Sequence, residues 1–277
     1  MTTDEIIKQA LAEDIGGGDH TSFATIPPDS QGSARLLIKE QGILCGVDVA
    51  VQVFHHIDPL LRVEIFLTDG TPVQKGDIVF SVTGKTRSIL QSERLALNFM
   101  QRLSGIATAT NRVVKKLEGF HTRLLDTRKT TPLLRELEKY AVRTGGGFNH
   151  RMGLFDMIMI KDNHVDYSGG IARAINRVRE YLFQIHQNLK VEIEVRNFDE
   201  LQQALDHGGI NRIMLDNFVP SALKKAVGII DGRYETEASG GITEDNVQDF
   251  ASTGVDYISM GALTHQIRSL DMSLKAK

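Results

Sequence analysis

Cysteine is nearly absent from this chain: Cys45 is the single one among 277 residues. One thiol cannot close an intrachain disulfide, and it excludes a cysteine-rich zinc site. Such usage suits a reducing compartment. Long apolar runs are missing too. No segment approaches the roughly 18 uninterrupted apolar residues of a spanning helix. The opening MTTDEIIKQALAED is acidic and has no apolar stretch of the signal-peptide kind. The expectation is a cytoplasmic protein, with no membrane partner. Positive charge is not in excess either. A net charge of −3 argues against a general nucleic-acid binder, which carries a basic face. What remains, 41% hydrophobic and 24% charged residues, is ordinary globular composition, long enough for one large domain or two modest ones.

TDEIIKQALAED reads as a helix with Thr3 as N-cap and Ile6, Ile7, Ala10 and Leu11 as its apolar stripe. IGGGDHTS breaks it. From Ser33 to about Gly84 the texture is β, in SARLLIKEQGILCG, LRVEIFLTDG and DIVFSVTG. DGTPVQKGD reads as a hairpin loop. Its Lys75 has the placing of a lipoyl or biotinyl lysine without the attachment signature, so a structural turn is the better reading. SILQSERLALNFMQRLSGIATATNRVVKKLEG is strongly helical, and Gly105 is expected to bend or divide it. The domain boundary falls around this stretch.

After Gly119 short apolar runs recur: RLLDT, MIMIKDN, VEIEV, RIMLDN, YETEASGG and YISMGAL. Helical patterns such as LLRELEKYAV, GIARAINRVREYLFQIHQ and NFDELQQALDHG lie between most of them. Strands alternating with helices imply a parallel sheet. Without a dinucleotide fingerprint, these runs favour a closed or nearly closed barrel over an open doubly wound sheet.

Side chains alternate along a strand. Ile158, Ile160, Val191, Ile193, Val195, Ile213, Leu215, Ile258 and Met260 then form the face toward the helices. The opposite face carries Asp126, Arg128, Lys161, Glu192, Glu194, Asp216, Glu237, Ser239, Ser259 and Gly261. Nearly every strand delivers a polar residue at its C-terminal end, where barrel active sites lie. Any one of these is a loop-facing charge by default; six strands repeating the pattern is not.

Arg128, Lys129, His150, Arg151 and Lys161 make a dense cationic set, which a ligand with several negative charges would justify. Glu194 and Asp216 are the counterweight. Carboxylates facing a polyanion repel it unless a divalent metal or a developing cation lies between, and hard oxygen ligands suit Mg²⁺. SGGI and MGAL, after the last two strands, offer backbone N–H groups to a phosphate. His150 and His164 taken singly read as structural histidines, and no histidine spacing gives a zinc site. Lys161 as a Schiff-base lysine stays open on these grounds.

LLDTRKTTPLLRELEKYAVRTGGGFNHRMGLFDMIMIKDNH resembles the signature region of the quinolinate phosphoribosyltransferase family. The likeness extends through EDIGGGDHTS, ERLALNFMQRLSGIAT, VEIEV, IMLDN, SGGI and GVDYISMGALTH, in order along nearly the whole chain. The resemblance implies an α/β fold: an N-terminal α/β sandwich over 1–112 and an incomplete parallel α/β barrel over 113–265, with the tail 266–277 packing back on the sandwich. It implies formation of nicotinate mononucleotide from quinolinate and phosphoribosyl pyrophosphate, with release of pyrophosphate and CO2 and with Mg²⁺ as cofactor. Arg94, Arg128, His150, Arg151 and Lys161 would hold the two quinolinate carboxylates, and Thr127 would join the substrate-binding set. Lys129 would serve the phosphoribosyl pyrophosphate side. Glu194 and Asp216 would face ribose and metal, and Ser239, Gly240, Gly241, Met260, Gly261 and Ala262 would cradle the 5′-phosphate. Lys129, Lys161, Glu194 and Asp216 carry the catalytic expectation. Arg94 would come from a partner subunit, implying a homodimer. One departure stands out: the family usually reads TTPGLR, and here Leu133 replaces the glycine.

Overall fold

The computed structural model describes residues 1–277, which form two compact units. One comprises Met1–Asn111, Thr130–Gly146 and Leu263–Lys277; the other comprises Arg112–Lys129 and Gly147–Ala262.

The first unit opens with α1 (Thr3–Ile15). Its N-cap is Thr2 rather than the expected Thr3, because Glu5 lies three residues on. The Thr2 hydroxyl accepts the Glu5 N–H and the Glu5 carboxylate accepts the Thr2 N–H. Ile6, Ile7 and Leu11 are buried. A short α2 (His20–Thr25), capped by Asp19, occupies the segment expected only to break α1. Strands β1 (Gln31–Ile38) and β2 (Gly42–Ile43) follow. The β texture expected up to Gly84 is then interrupted by α3 (Val47–Ile57), which buries Val49, Ala50, Val53 and Phe54 on one face. Its N-terminal amides, Gly46 and Val47, both donate to the Asp69 carboxylate at 2.9 Å. That cap comes from more than 20 residues downstream, so local sequence did not reveal it.

Strands β3 (Arg62–Ile65), β4 (Pro72–Val73) and β5 (Ile78–Lys85) precede α4 (Thr86–Lys116). Helix α4 runs 31 residues undivided. Gly105 does not break it. A Cβ there would strike the Arg268 carbonyl, so the glycine serves close passage of the C-terminal segment.

Strand β6 (Arg123–Leu125) starts the sheet of the second unit, and α5 (Arg135–Thr144) then returns to the first. Arg102 of α4 ties it there, donating to Glu138 at 2.8 Å and to Thr131 at 2.6 Å. Glu138 is fully buried, so loss of Arg102 would strand a carboxylate, at a cost of about 3–5 kcal/mol.

The second unit continues as β7 (Ile158–Ile160), α6 (Asp162–Ser168), α7 (Ile171–Gln184), β8 (Val191–Val195), α8 (Phe198–His207) and β9 (Arg212–Asp216). Then come α9 (Pro220–Ile230), β10 (Glu235–Ser239), α10 (Val247–Ala251) and β11 (Tyr257–Ser259). Its six strands are parallel, in the order β6-β11-β10-β9-β8-β7. Each strand from β7 to β11 lies beside its successor, and β6 joins β11, as in a barrel. Closure fails between β6 and β7, where only Phe148 bridges to Leu125. Ile193, Ile213, Leu215 and Ile258 are fully buried, as expected for the face under the helices.

After α11 (Ala262–His265), β12 (Met272–Ala276) pairs antiparallel with β1, giving the order β12-β1-β5-β3. The chain end thus belongs to the sheet of the first unit. No helix is long and apolar enough to cross a membrane.

Candidate active site

Parallel register brings the ends of β8, β9 and β10 together, and with them Glu194, Asp216 and Ser239. Lys161, directly after β7, reaches across so that its Nζ lies 2.9 Å from Glu194 Oε2. The lysine side chain is 46% exposed and the glutamate only 8%, so the cation stands at the mouth and the anion inside. Asp216 is half-buried. Burial and the Glu194 charge push its pKa above the usual carboxylate value, while Lys161 and Asn217 oppose the shift. Two crowded carboxylates of this kind gain from a hard cation between or beside them, and their oxygens suit Mg²⁺.

Arg128 follows β6, and its Nε is removed from solvent with no hydrogen-bond partner. Arg151 is its neighbour in charge: burial and then Arg128 hold the Arg151 pKa below the usual guanidinium value. The bond to Arg151 is a carbonyl one, from Nη1 to Met157 O at 3.2 Å. Neither guanidinium is bonded to a carboxylate. A buried donor without a partner costs about 1–3 kcal/mol, and a bound anion would offset it. On either side of Arg128 in sequence, the Thr127 hydroxyl accepts the Lys129 N–H at 3.0 Å, a turn that leaves Lys129 exposed.

His150 sits deeper than its neighbours. Its Nε2 lies 3.0 Å from Glu192 and 3.3 Å from Glu237, all three side chains being nearly or wholly buried. Its Nδ1 accepts the Arg151 N–H at 2.7 Å, which assigns the ring proton to Nε2. Burial alone would lower the His150 pKa, but the two carboxylates facing it, Glu192 and Glu237, raise it to about 9. The Arg151 amide on Nδ1 opposes that second proton, so we assign the neutral ring. Burial and the Glu237 charge push Glu192 up to about 7. The ligating atoms of the three residues fall within 4.8 Å, a metal-like grouping. Arg212 already supplies the counter-charge, with Nη1 3.0 Å from Glu237 and Nη2 3.0 Å from Glu235. Asp126, expected on the polar face of its strand, is instead buried as a scaffold: its carboxylate accepts the His150 N–H at 2.8 Å and the Asn149 side-chain amide.

At the end of β10 the backbone turns through positive φ at Gly240 and Gly241, 93° and 65°. A Cβ on Gly240 would overlap Asn217 Oδ1, whereas one on Gly241 would meet open space. Gly240 is therefore fixed by packing, and Gly241 leaves room for a ligand. In the run Met260 to Ala262, the Met260 amide is committed to Leu125 O at 3.0 Å. His164, whose role was open, accepts the Lys161 backbone N–H on Nδ1 at 2.9 Å. Arg94 lies exposed on α4, in the first unit.

The residues missed by reading the sequence alone are Arg212 and the buried use of Glu192 and Glu237. Alternation back from Asp216 through Met214 leads to Arg212, so the signal existed. Attention to strand C-termini passed over it.

Family comparisons fit this geometry. The quinolinate phosphoribosyl transferase C-terminal domain matches residues 106–275, and the N-terminal domain of the same family matches residues 19–104. The chain belongs to the quinolinate phosphoribosyltransferase family. A mitochondrial quinolinate phosphoribosyltransferase [decarboxylating] of Nicotiana tabacum is 46% identical, over 98% of this chain and 81% of the relative. A probable nicotinate-nucleotide pyrophosphorylase [carboxylating] of Bacillus subtilis is 39% identical over 98% of this chain and 92% of the relative. Among solved structures, the nicotinate-nucleotide pyrophosphorylase of Francisella tularensis superposes with TM-score 0.93 at 42% identity, covering 99% of this chain and 96% of that one. Leu133, where the resemblance leads one to expect glycine, adopts φ 68°, the region glycine favours.

Proposed function

We propose that this chain transfers the phosphoribosyl group of phosphoribosyl pyrophosphate to quinolinate with decarboxylation, giving nicotinate mononucleotide, pyrophosphate and CO2. The observation that carries the reading is the Arg128–Arg151 pair. Two neighbouring guanidiniums, one with a buried unpartnered Nε, make a receptor for a compact dianion. Lys161 adds a third cation at the mouth.

Arg128, Arg151 and Lys161 hold the two carboxylates and thereby aim the pyridine nitrogen at C1 of the ribose. Glu194 and Asp216 face the ribose. They stabilise positive charge on its ring as the bond to pyrophosphate breaks and the nitrogen bond forms. The nitrogen is then a pyridinium; as the adjacent carboxylate leaves as CO2, the electron pair of the broken bond stays on the ring carbon, stabilised by the neighbouring positive nitrogen, and that carbon takes a proton from water to give the product. Lys129 supports the pyrophosphate side, and the amides around Gly240, Gly241 and Gly261 cradle the 5′-phosphate. Glu194 and Asp216 would hold Mg²⁺, directly or through water, and the ion would neutralise pyrophosphate charge there. Homodimerisation with Arg94 supplied across the interface, and a cytoplasmic location, complete the reading. The former rests on the family resemblance and the latter on the single, buried Cys45.

Incubation of the pure protein with quinolinate, phosphoribosyl pyrophosphate and Mg²⁺ tests it. Nicotinate mononucleotide and CO2 should appear in equal amounts. No product from either quinolinate or nicotinate would overturn the proposal.

A further inference from the structure

One residue joins Asp216 to the glycine turn after β10. Asn217, the first residue after β9, is one of four non-glycine residues at positive φ, at 56°. Asparagine is among the side chains that visit this region, at a cost glycine avoids. Three contacts account for its place there. Its backbone N–H donates to Ser239 O at 2.8 Å, and its side-chain Nδ2 donates to Asp216 Oδ2 at 2.6 Å. Its Oδ1 lies against Gly240, in the space a Cβ on that glycine would need.

A neutral holder suits Asp216. Glu194 is held by a cation, with Lys161 Nζ at 2.9 Å. A second cation on Asp216 would cancel the negative charge that a developing positive charge on the ribose requires. An amide N–H instead fixes the rotation of the carboxylate, otherwise broad about its last torsion, and leaves its charge in place. The other end of the same amide packs on the Gly240 turn. Asn217 thus links the ribose carboxylate to the turn that would take the 5′-phosphate. Phosphoribosyl pyrophosphate spans both points; quinolinate is held elsewhere, by Arg128 and Arg151.

We propose that Asn217 is a positioning residue for the phosphoribosyl half of the reaction: its side chain aims the Asp216 carboxylate and spaces it from the Gly240–Gly241 turn. The inference rests on the transferase reading above. Steady-state kinetics at saturating Mg²⁺ with each substrate varied in turn, together with Tm, test it on two variants. Asn217→Gly keeps the positive-φ backbone and removes the amide. Asn217→Asp keeps the side-chain shape and removes the Nδ2 donor. Each should lower kcat about tenfold, the worth of one hydrogen bond to a charged group. Each should also raise the phosphoribosyl pyrophosphate KM at least threefold and leave the quinolinate KM within twofold. The Tm of the glycine variant should stay within about 3 °C of wild type, because glycine takes this φ without strain. Either variant decides the matter alone if the other does not fold. The proposal is overturned if the phosphoribosyl pyrophosphate KM stays within threefold of wild type. It is equally overturned if both KM values rise together, which would mark a general structural role, or if Asn217→Asp matches wild type, which would leave the donor no part. Absence of product from the wild-type protein would overturn the transferase reading and this one with it.

Discussion

Lys161 Nζ and Glu194 Oε2 stand 2.9 Å apart, so one contact joins the cationic half of the site to its carboxylate half. A substrate dianion that engages Lys161 must share it with Glu194, and loss of either residue changes the charge the other presents. Arg128→Ala and Lys161→Ala should each lower kcat/KM for quinolinate by about 10- to 100-fold, the worth of one charge-assisted hydrogen bond. Circular dichroism and Tm should stay near wild type, because both side chains lie at strand ends. Unfolding of either variant would show a structural role instead. The Lys161→Ala, Glu194→Gln double variant should fall short of the sum of the single losses.

Gly240 and Gly241 separate packing from ligand access. Both have positive φ, but only Gly240 has Asn217 Oδ1 where a Cβ would go. Gly240→Ala should therefore lower Tm more than Gly241→Ala, whose cost is the backbone strain alone, about 1–2 kcal/mol. Parallel thermal melts of the two proteins check the order.

Leu133 occupies φ 68° and is 64% exposed. Little apolar burial is lost by removing it, while the left-handed conformation becomes easy for glycine. Leu133→Gly should stabilise the protein by about 1 kcal/mol, the strain relieved less the added entropy of the unfolded chain. Urea unfolding reads this directly, and a fall in midpoint would show that the leucine makes contacts that outweigh its strain.

Cys45 is buried, and burial followed by the Asp69 charge pushes its thiol up to about 12. A thiol-specific chromogenic disulfide should find no reactive group in the native protein at pH 8 and one per chain in guanidinium chloride. Thiolate, the reactive form, is both scarce and inaccessible in the folded state.

Chelation tests the carboxylate pair. Excess EDTA should abolish product formation, and Mg²⁺ should restore it. Full activity with the chelator present would assign Glu194 and Asp216 to the ribose alone.

Much of this protein was written locally. The six strands after Gly119 were legible because each is a short apolar run whose alternate residues are polar, and alternation needs no knowledge of neighbours. The same rule placed Glu194, Asp216 and Ser239 at strand ends. Tertiary structure decided what alternation cannot. Helix α3 draws its N-terminal cap from Asp69, more than 20 residues away, so its start was invisible in a segment rich in valine. Gly105 looked like a break because a glycine inside a helix is costly, and only the Arg268 carbonyl against it explains its presence. Asp126 shares the polar character of the site residues but holds Asn149 and His150 from below. His150, Glu192, Arg212 and Glu237 are separated by up to 87 residues of sequence and meet only when parallel register aligns three strands. Local residue order fixed which charges exist. Which of them face a substrate, and which hold one another in the core, follows from register and burial, properties of the folded chain as a whole.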